Sequence, residues 1–239
     1  MVLMQTNIIY NEDCLVGMDN LPDESVHAII TDPPYNISRE SNYGTMFKSD
    51  IDFGEWDKGF DQKAWVGKTY RLLKPGGALF IFNDWKNLGE IARHGEGLGY
   101  EIKTMVRWRK DNPVPRNRDR KYVVDFEVAV WLVKPGKWTY NRKGAGFDRC
   151  EYCYPITSEE ERLGHPTQKP VALFKDIIER HTQKGDIVLD PFMGSGTTAV
   201  ACLSTGRRYI GFEIDGAYWE IAQRRVAPPP LFPDFDEGR

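Results

Sequence analysis

Two short stretches hold the residue types that could do chemistry. Asp32-Pro33-Pro34-Tyr35 follows an apolar run containing Val26, Ala28, Ile29 and Ile30. The prolines fix φ and remove two N–H donors, so the turn offers a carboxylate and carbonyls, all acceptors, beside an aromatic ring. Such a set suits a planar ligand that carries an amino group. An ordinary strand-ending turn is the alternative, because Asp and Pro are common there. The second stretch, Asp190-Pro191-Phe192-Met193-Gly194-Ser195-Gly196-Thr197-Thr198, follows Ile187-Val188-Leu189 and opens a helix over 199–203. Its glycines let a backbone turn lie close against a ligand, and the helix start supplies free N–H groups.

Both stretches need a buried strand to carry them to one edge of a sheet. In an open α/β sheet that edge, at the carboxyl ends of the strands, is where ligands bind. Apolar patterning predicts further strands at 8–10, 78–82 and 209–212, and a strand pair at 101–108 and 123–133. Helices are expected after Asp13, at 64–73, 88–96 and 167–181, and at 216–225. Lys74-Pro75-Gly76-Gly77 reads as the stop of the second of these, and Pro170 as a first-turn proline of the fourth. The result is an α/β chain with a mostly parallel central sheet and helices on both faces. Asp13 ends the first strand and reads equally as a helix-start carboxylate. Glu213 ends the last strand, where a carboxylate past a glycine-rich turn suits two ribose hydroxyls; a capping role is the alternative. Residues 36–59 form a long polar stretch beside the Asp32 turn and read as a lid. Glu127, inside an apolar strand, has no role that the sequence assigns.

The 239 residues suit one α/β domain, assigned to 1–227, with a Pro-rich, extended or disordered tail at 228–239. Hydrophobic residues make up 41% and charged residues 28%, a balance typical of soluble globular chains. No apolar run is long enough to span a bilayer, and the N-terminus lacks a signal-peptide pattern. Four cysteines in a chain this long do not make a disulfide framework, which points to the reduced cytoplasm. Cys150-Glu151-Tyr152-Cys153 has the spacing of a zinc knuckle, with His165 not far off, but a second ligand pair is missing and no metal is expected.

Net charge is −3, yet residues 103–143 hold twelve Lys or Arg against four Asp or Glu. One basic face on an otherwise acidic protein suits nucleic acid, the more so with Trp108, Pro113, Pro115 and Tyr122 interleaved. Arg107, Arg109, Lys110, Asn112, Arg116, Arg118, Arg120 and Lys121 are the candidate contacts. Residues 134–163 are irregular and rich in Gly, Arg and Tyr.

The D-P-P-Y and D-P-F-x-G-x-G-T stretches together resemble the S-adenosylmethionine-dependent DNA amino-methyltransferases. The acceptor motif precedes the cofactor motif, as in the β class, a circular permutation of the Rossmann-like methyltransferase fold. His165-Pro166-Thr167-Gln168-Lys169-Pro170 and the W-x-K-x-N-P-x-P pattern from Trp108 to Pro115 match the same class. The resemblance covers about residues 8–225. It implies transfer of a methyl group to the N6 amino group of adenine in a base flipped out of double-stranded DNA. Asp32 and the Pro33 carbonyl would accept the two amino hydrogens, with Pro34 shaping the turn and Tyr35 stacking on the base. S-adenosylmethionine would be held by Asp190, Phe192, Gly194, Ser195, Gly196, Thr197 and Glu213, with Asp13 near its adenine. Thr167, Gln168 and Lys169 would lie near its methionine end, and S-adenosylhomocysteine would be the product. The short segment 134–163 corresponds to the target-recognition region. By analogy with dimeric members a homodimer is expected; nothing in the sequence indicates a cognate restriction enzyme.

Asp at the first motif position is the usual adenine form, and Ser the usual cytosine-N4 form. Cytosine-N4 methylation is the near alternative, since the same chemistry serves both amines. Methylation of RNA or of a protein glutamine, on relatives with N-P-P-Y after the cofactor motif, fits the motif order less well. An inactive binding module would have no need of Asp32 or the glycines.

Overall fold

The computed structural model describes residues 4–36, 60–114, 119, 122–159, 161–162 and 168–228. Most of the lid stretch, Arg116, Arg118, Arg120, Lys121, His165, Thr167 and nearly all of the tail lie outside them. The described residues build eight strands and six helices: β1 (Ile8–Tyr10), α1 (Cys14–Asp19), β2 (Val26–Thr31), α2 (Gln62–Leu72), β3 (Leu73–Asn83), α3 (Trp85–Gly97), β4 (Glu101–Lys110), β5 (Phe126–Val133), β6 (Glu151–Tyr154), α4 (Val171–His181), β7 (Ile187–Asp190), α5 (Thr197–Thr205), β8 (Arg208–Phe212) and α6 (Gly216–Val226).

The strands form one sheet in the order β1-β8-β7-β2-β3-β5-β4-β6. β5 alone is antiparallel to its neighbours β3 and β4; every other pairing is parallel. β2 and β7 are apolar on both faces, as strands under two helix layers must be. Ala28, Ile30, Phe80 and Phe82 pack towards α4, α5 and α6 through Phe174, Ile178, Cys202 and Ala222. Ile29, Leu79 and Ile81 point the other way, onto α1, α2 and α3 through Met18, Trp65, Leu72 and Ile91. Each large apolar side chain fully buried this way contributes roughly 1.5–3 kcal/mol.

β2 and β7 are neighbours, yet the chain leaves β2 towards β3 and leaves β7 towards β8. A crevice opens at such a reversal of strand order. Asp32 leaves one strand there and Asp190 ends the other, so the two candidate stretches meet although Asp32 and Asp190 lie 158 positions apart in the chain.

Several elements differ from the sequence reading. α2 ends at Leu72, just before Lys74-Pro75-Gly76-Gly77, but β3 begins at once at Leu73, so these residues lie inside a strand that was expected only from residue 78. Gly76 has φ +81°, and a Cβ there would meet the Lys137 carbonyl oxygen at 2.2 Å. The glycine marks a close backbone approach, a role it also plays in irregular strands. α3 starts at Trp85 because Asp84 accepts from the Lys86 N–H and caps it. α4 starts at Val171 with Pro170 as its cap residue, which leaves Gln168 and Lys169 outside the helix. β6 was not expected: four residues of the irregular stretch pair with the outer edge of β4.

Candidate active site

The turn after β2 is held by amides from both flanking helices. Gln62, in the first turn of α2, donates to the Pro34 carbonyl, and Asn87 of α3 donates to the Tyr35 carbonyl at 2.7 Å. The Asn87 amide also reaches Asn83 Oδ1 at 2.7 Å. Sequence reasoning missed Gln62, Asn83 and Asn87; polar residues in a helix's first turn usually signal only capping.

Asp32 is the centre of a buried charge network. Tyr35 Oη donates to Asp32 Oδ1, and Lys169 Nζ donates to Asp32 Oδ2. The same ammonium reaches Glu127 Oε2 at 3.0 Å, and Lys110 Nζ reaches Glu127 Oε1 at 2.9 Å. Lys169 also lies over the rings of Tyr35 and Phe82, 5.6 and 5.7 Å from their centroids. Two ammoniums and two carboxylates therefore balance in one row. Burial pushes the Asp32 carboxyl above its ordinary range against the pull of Lys169. Burial works the same way on Glu127, but Lys169 and Lys110 outweigh it and hold Glu127 below its ordinary value. Lys169, whose charge burial disfavours, is nonetheless held above the usual lysine value by Asp32 and Glu127. Lys169 thus reaches the acceptor carboxylate itself, and Glu127, odd in the sequence, is the second partner of that lysine.

Glu127 can do this because β5 is reversed. Its amino-terminal end lies at the edge where the parallel strands end, with Glu127 opposite Trp108 and Val128 opposite Asn83.

The glycine turn after β7 is tied down by Asp190. Asp190 Oδ1 accepts from Thr31 Oγ1 at 2.6 Å and from the Phe192 N–H at 3.0 Å; Oδ2 accepts from Thr198 Oγ1. These partners join β2, β7 and α5, so Asp190 holds the turn from within. Gly194 and Gly196 have φ of +54° and +88°, and α5 begins at Thr197 with no side-chain cap from Gly196. Glu213 follows β8 and accepts from the Gly194 N–H at 2.7 Å and the Asp215 N–H at 2.8 Å. Burial raises its carboxyl above the ordinary value. Phe192 meets Phe60 and Trp65 edge-on. Ser195 Oγ donates to Gln168 Oε1 at 3.2 Å, and Thr197 Oγ1 donates to the Lys169 carbonyl at 3.3 Å, so the segment before α4 rests on the glycine turn. Asp13 is exposed and caps α1 by accepting from the Leu15 N–H at 2.7 Å.

A nearly buried carboxylate with lone pairs left for hydroxyl donors, an aromatic ring and two left-handed glycines make a donor set that fits S-adenosylmethionine. Glu213 would take its ribose and Phe192 its flat base.

Burial drives the Asp190 carboxyl up to about 6, against the hydrogen bonds from Thr198, Thr31 and the Phe192 N–H. The folded chain therefore holds this proton more tightly than the unfolded chain. The resulting stability is fully present below about pH 4 and lost as pH rises through about 6. Relative to Asp190→Asn, the wild type is expected to gain about 2 kcal/mol of unfolding free energy as pH falls from 6 to 4. Urea unfolding of both chains across that range checks it; a pH-independent difference would refute the buried, proton-holding role.

The described basic candidates are tied to protein partners. Arg107 pairs with Glu151, Arg109 lies 3.4 Å from Asp111 and 3.6 Å from Glu151, and Lys110 is on Glu127. Asn112 Oδ1 accepts from the Ile156 N–H at 2.7 Å. Cys150 and Cys153 are exposed free thiols, and among the described residues no group of three metal-ligating side chains comes together. Among those residues, too, no helix is long and apolar enough to cross a membrane.

A family model described as DNA methylase, of the N6/N4 type, matches residues 26–224. The chain is 32% identical over 238 residues to Type II methyltransferase M2.MboI of Moraxella bovis, covering 91% of this chain and 86% of that one. It is 30% identical over 246 residues to Type II methyltransferase M.HinfI of Haemophilus influenzae, covering 92% and 68%. The crystal structure of the M1.HpyAVI–SAM complex superposes with a TM-score of 0.77 at 33% identity, covering 92% of this chain and 99% of that one. The cytosine-N4-specific PvuII DNA methyltransferase shares the fold at 18% identity, with a TM-score of 0.74. A match that takes in both the Asp32 turn and the glycine turn places this chain in the N6/N4 DNA methylase family.

Proposed function

We propose that this chain methylates the N6 amino group of adenine in duplex DNA, using S-adenosylmethionine. The observation that carries the reading is the Asp32 carboxylate, with its neighbouring carbonyl and ring, at the strand reversal beside the glycine turn and Glu213. Residues 1–227 act as one methyltransferase domain. Arg107, Arg109, Lys110, Asn112, Arg116, Arg118, Arg120 and Lys121 face the DNA, and the chain works as a homodimer. The Type II names of the relatives suggest a restriction–modification setting.

An adenine amino nitrogen is a weak nucleophile because its lone pair is delocalised into the ring. Asp32 and the Pro33 carbonyl accept its two hydrogens and favour a tetrahedral nitrogen with the lone pair free. Bound S-adenosylmethionine supplies an activated methyl group on a sulfonium. As positive charge builds on nitrogen, Asp32 stabilises it in a site that the base itself closes to water. Flipping the base out costs a few kcal/mol, which stacking on Tyr35 helps offset.

The test is single-molecule modification sequencing of DNA from a methylation-free strain expressing the chain. N6-methyladenine in one short motif is the expected result. N4-methylcytosine would select the cytosine alternative, which the same acceptors could serve. Unmodified DNA from cells with folded, cofactor-binding protein would refute the reading.

A further inference from the structure

The row Asp32–Lys169–Glu127–Lys110 has more members than binding an amino group requires. Methyl transfer leaves the amino nitrogen with one hydrogen too many, and that proton must leave a site covered by the flipped base. We propose that Lys169 and Glu127 form the exit path for this proton. The inference rests on the amino-methylation reading but not on the choice of adenine over cytosine.

The steps balance. The nitrogen lone pair forms the bond to the methyl carbon, and the carbon–sulfur pair stays on sulfur as a neutral thioether. The cationic nitrogen gives one proton to Asp32, and the N–H pair returns to nitrogen. Lys169 then passes one of its protons to Glu127 and, as the neutral amine, takes the Asp32 proton, so it begins and ends with a charge of +1. Glu127 releases the proton to solvent. The geometry supports each transfer. Lys169 Nζ donates to Asp32 and lies 3.0 Å from Glu127, so one nitrogen spans both carboxylates. Lys169 is only 5% exposed, whereas Glu127 is 28% exposed and is the first member with ready access to water. Asp32, 20% exposed here, loses that exposure once a base rests on it. The charged and titratable groups that face Glu127 are Lys169 ahead of α4, Lys110 at the end of β4, and Asp32 and Tyr35 after β2. Lys110 keeps Glu127 ionised and ready to accept.

The experiment compares wild type with Glu127→Gln and Glu127→Asp in steady-state methylation of duplex DNA from pH 6 to 9. Glu127→Gln should lose roughly a hundredfold in kcat at pH 7, the low end for a positioned proton acceptor. Its kcat should recover with rising pH and with added formate, and it should gain a solvent deuterium isotope effect. Binding of S-adenosylhomocysteine should stay within twofold of wild type, because Glu127 does not touch the glycine turn. Glu127→Asp, which keeps a carboxylate at a longer reach, should show a smaller loss with the same pH recovery. A wild-type kcat in Glu127→Gln overturns the relay. So does a loss equal at every pH without formate rescue, in either variant, since that would be a structural effect. A wild-type chain that methylates no base overturns the reading beneath it; failure confined to the variants' pH response overturns the relay alone.

Discussion

Asp32→Ala is expected to lose at least about a thousandfold in kcat while its affinity for S-adenosylmethionine changes by less than about threefold. The carboxylate contributes only as the amino nitrogen gains charge, so its loss falls on turnover rather than on binding the methyl donor. The turn's own anchors do not involve it: Gln62 and Asn87 hold the Pro34 and Tyr35 carbonyls, and Glu213 lies across the crevice on the glycine turn. Truncation also leaves Lys169 buried with Glu127 as its remaining carboxylate partner, which costs stability. Asp32→Asn is the control, because it keeps the shape and removes only the charge. Calorimetric titration with the cofactor, beside methylation rates, separates the two effects. Turnover within tenfold of wild type in both variants would remove Asp32 from the reaction.

Glu213→Ala should show the opposite pattern. Its affinity for S-adenosylmethionine is expected to fall about a hundredfold, the size of two hydroxyl hydrogen bonds to one charged acceptor. The kcat at saturating cofactor should stay within a few-fold. Glu213 also accepts from the Gly194 and Asp215 N–H groups, so part of the loss would come from a looser glycine turn. Glu213→Gln keeps an acceptor for those amides and should lose less. An unchanged cofactor affinity in Glu213→Ala would mean that this carboxylate only braces the turn.

The sequence was informative wherever one residue type had one good physical reason to be present. Strands ending in Asp32, Asp190 and Glu213 were legible because apolar runs bounded by acidic residues and glycines have few other readings. Glu127 was visible as an anomaly but not as a partner, because its meaning depends on a lysine 42 residues further on. Lys169 was placed near the cofactor's methionine end from the resemblance; its pairing with Asp32 needed a non-helical segment before Val171, which a helix starting at Thr167 would have hidden. β6 was missed because four residues on an outer edge carry too little periodicity to stand out. Lys74-Pro75-Gly76-Gly77 marked the end of α2 but hid the start of β3, because Pro and Gly mark a break in regular structure without saying whether the chain turns away or merely lets another backbone come close.

The reversal of β5 has a consequence for how such a chain can diversify. A parallel strand needs a crossover to its neighbour, and lengthening that crossover disturbs the helix that packs on the sheet. The β4–β5 link instead joins neighbouring antiparallel strands, and both its ends lie at the edge of the sheet that carries Asp32. Each doubling of such a link costs only about 0.6 kcal/mol in closure entropy. Residues 111–125 are therefore a place where one catalytic frame can accept new sequence-reading loops at little cost to its stability, while the crevice between β2 and β7 stays as it is.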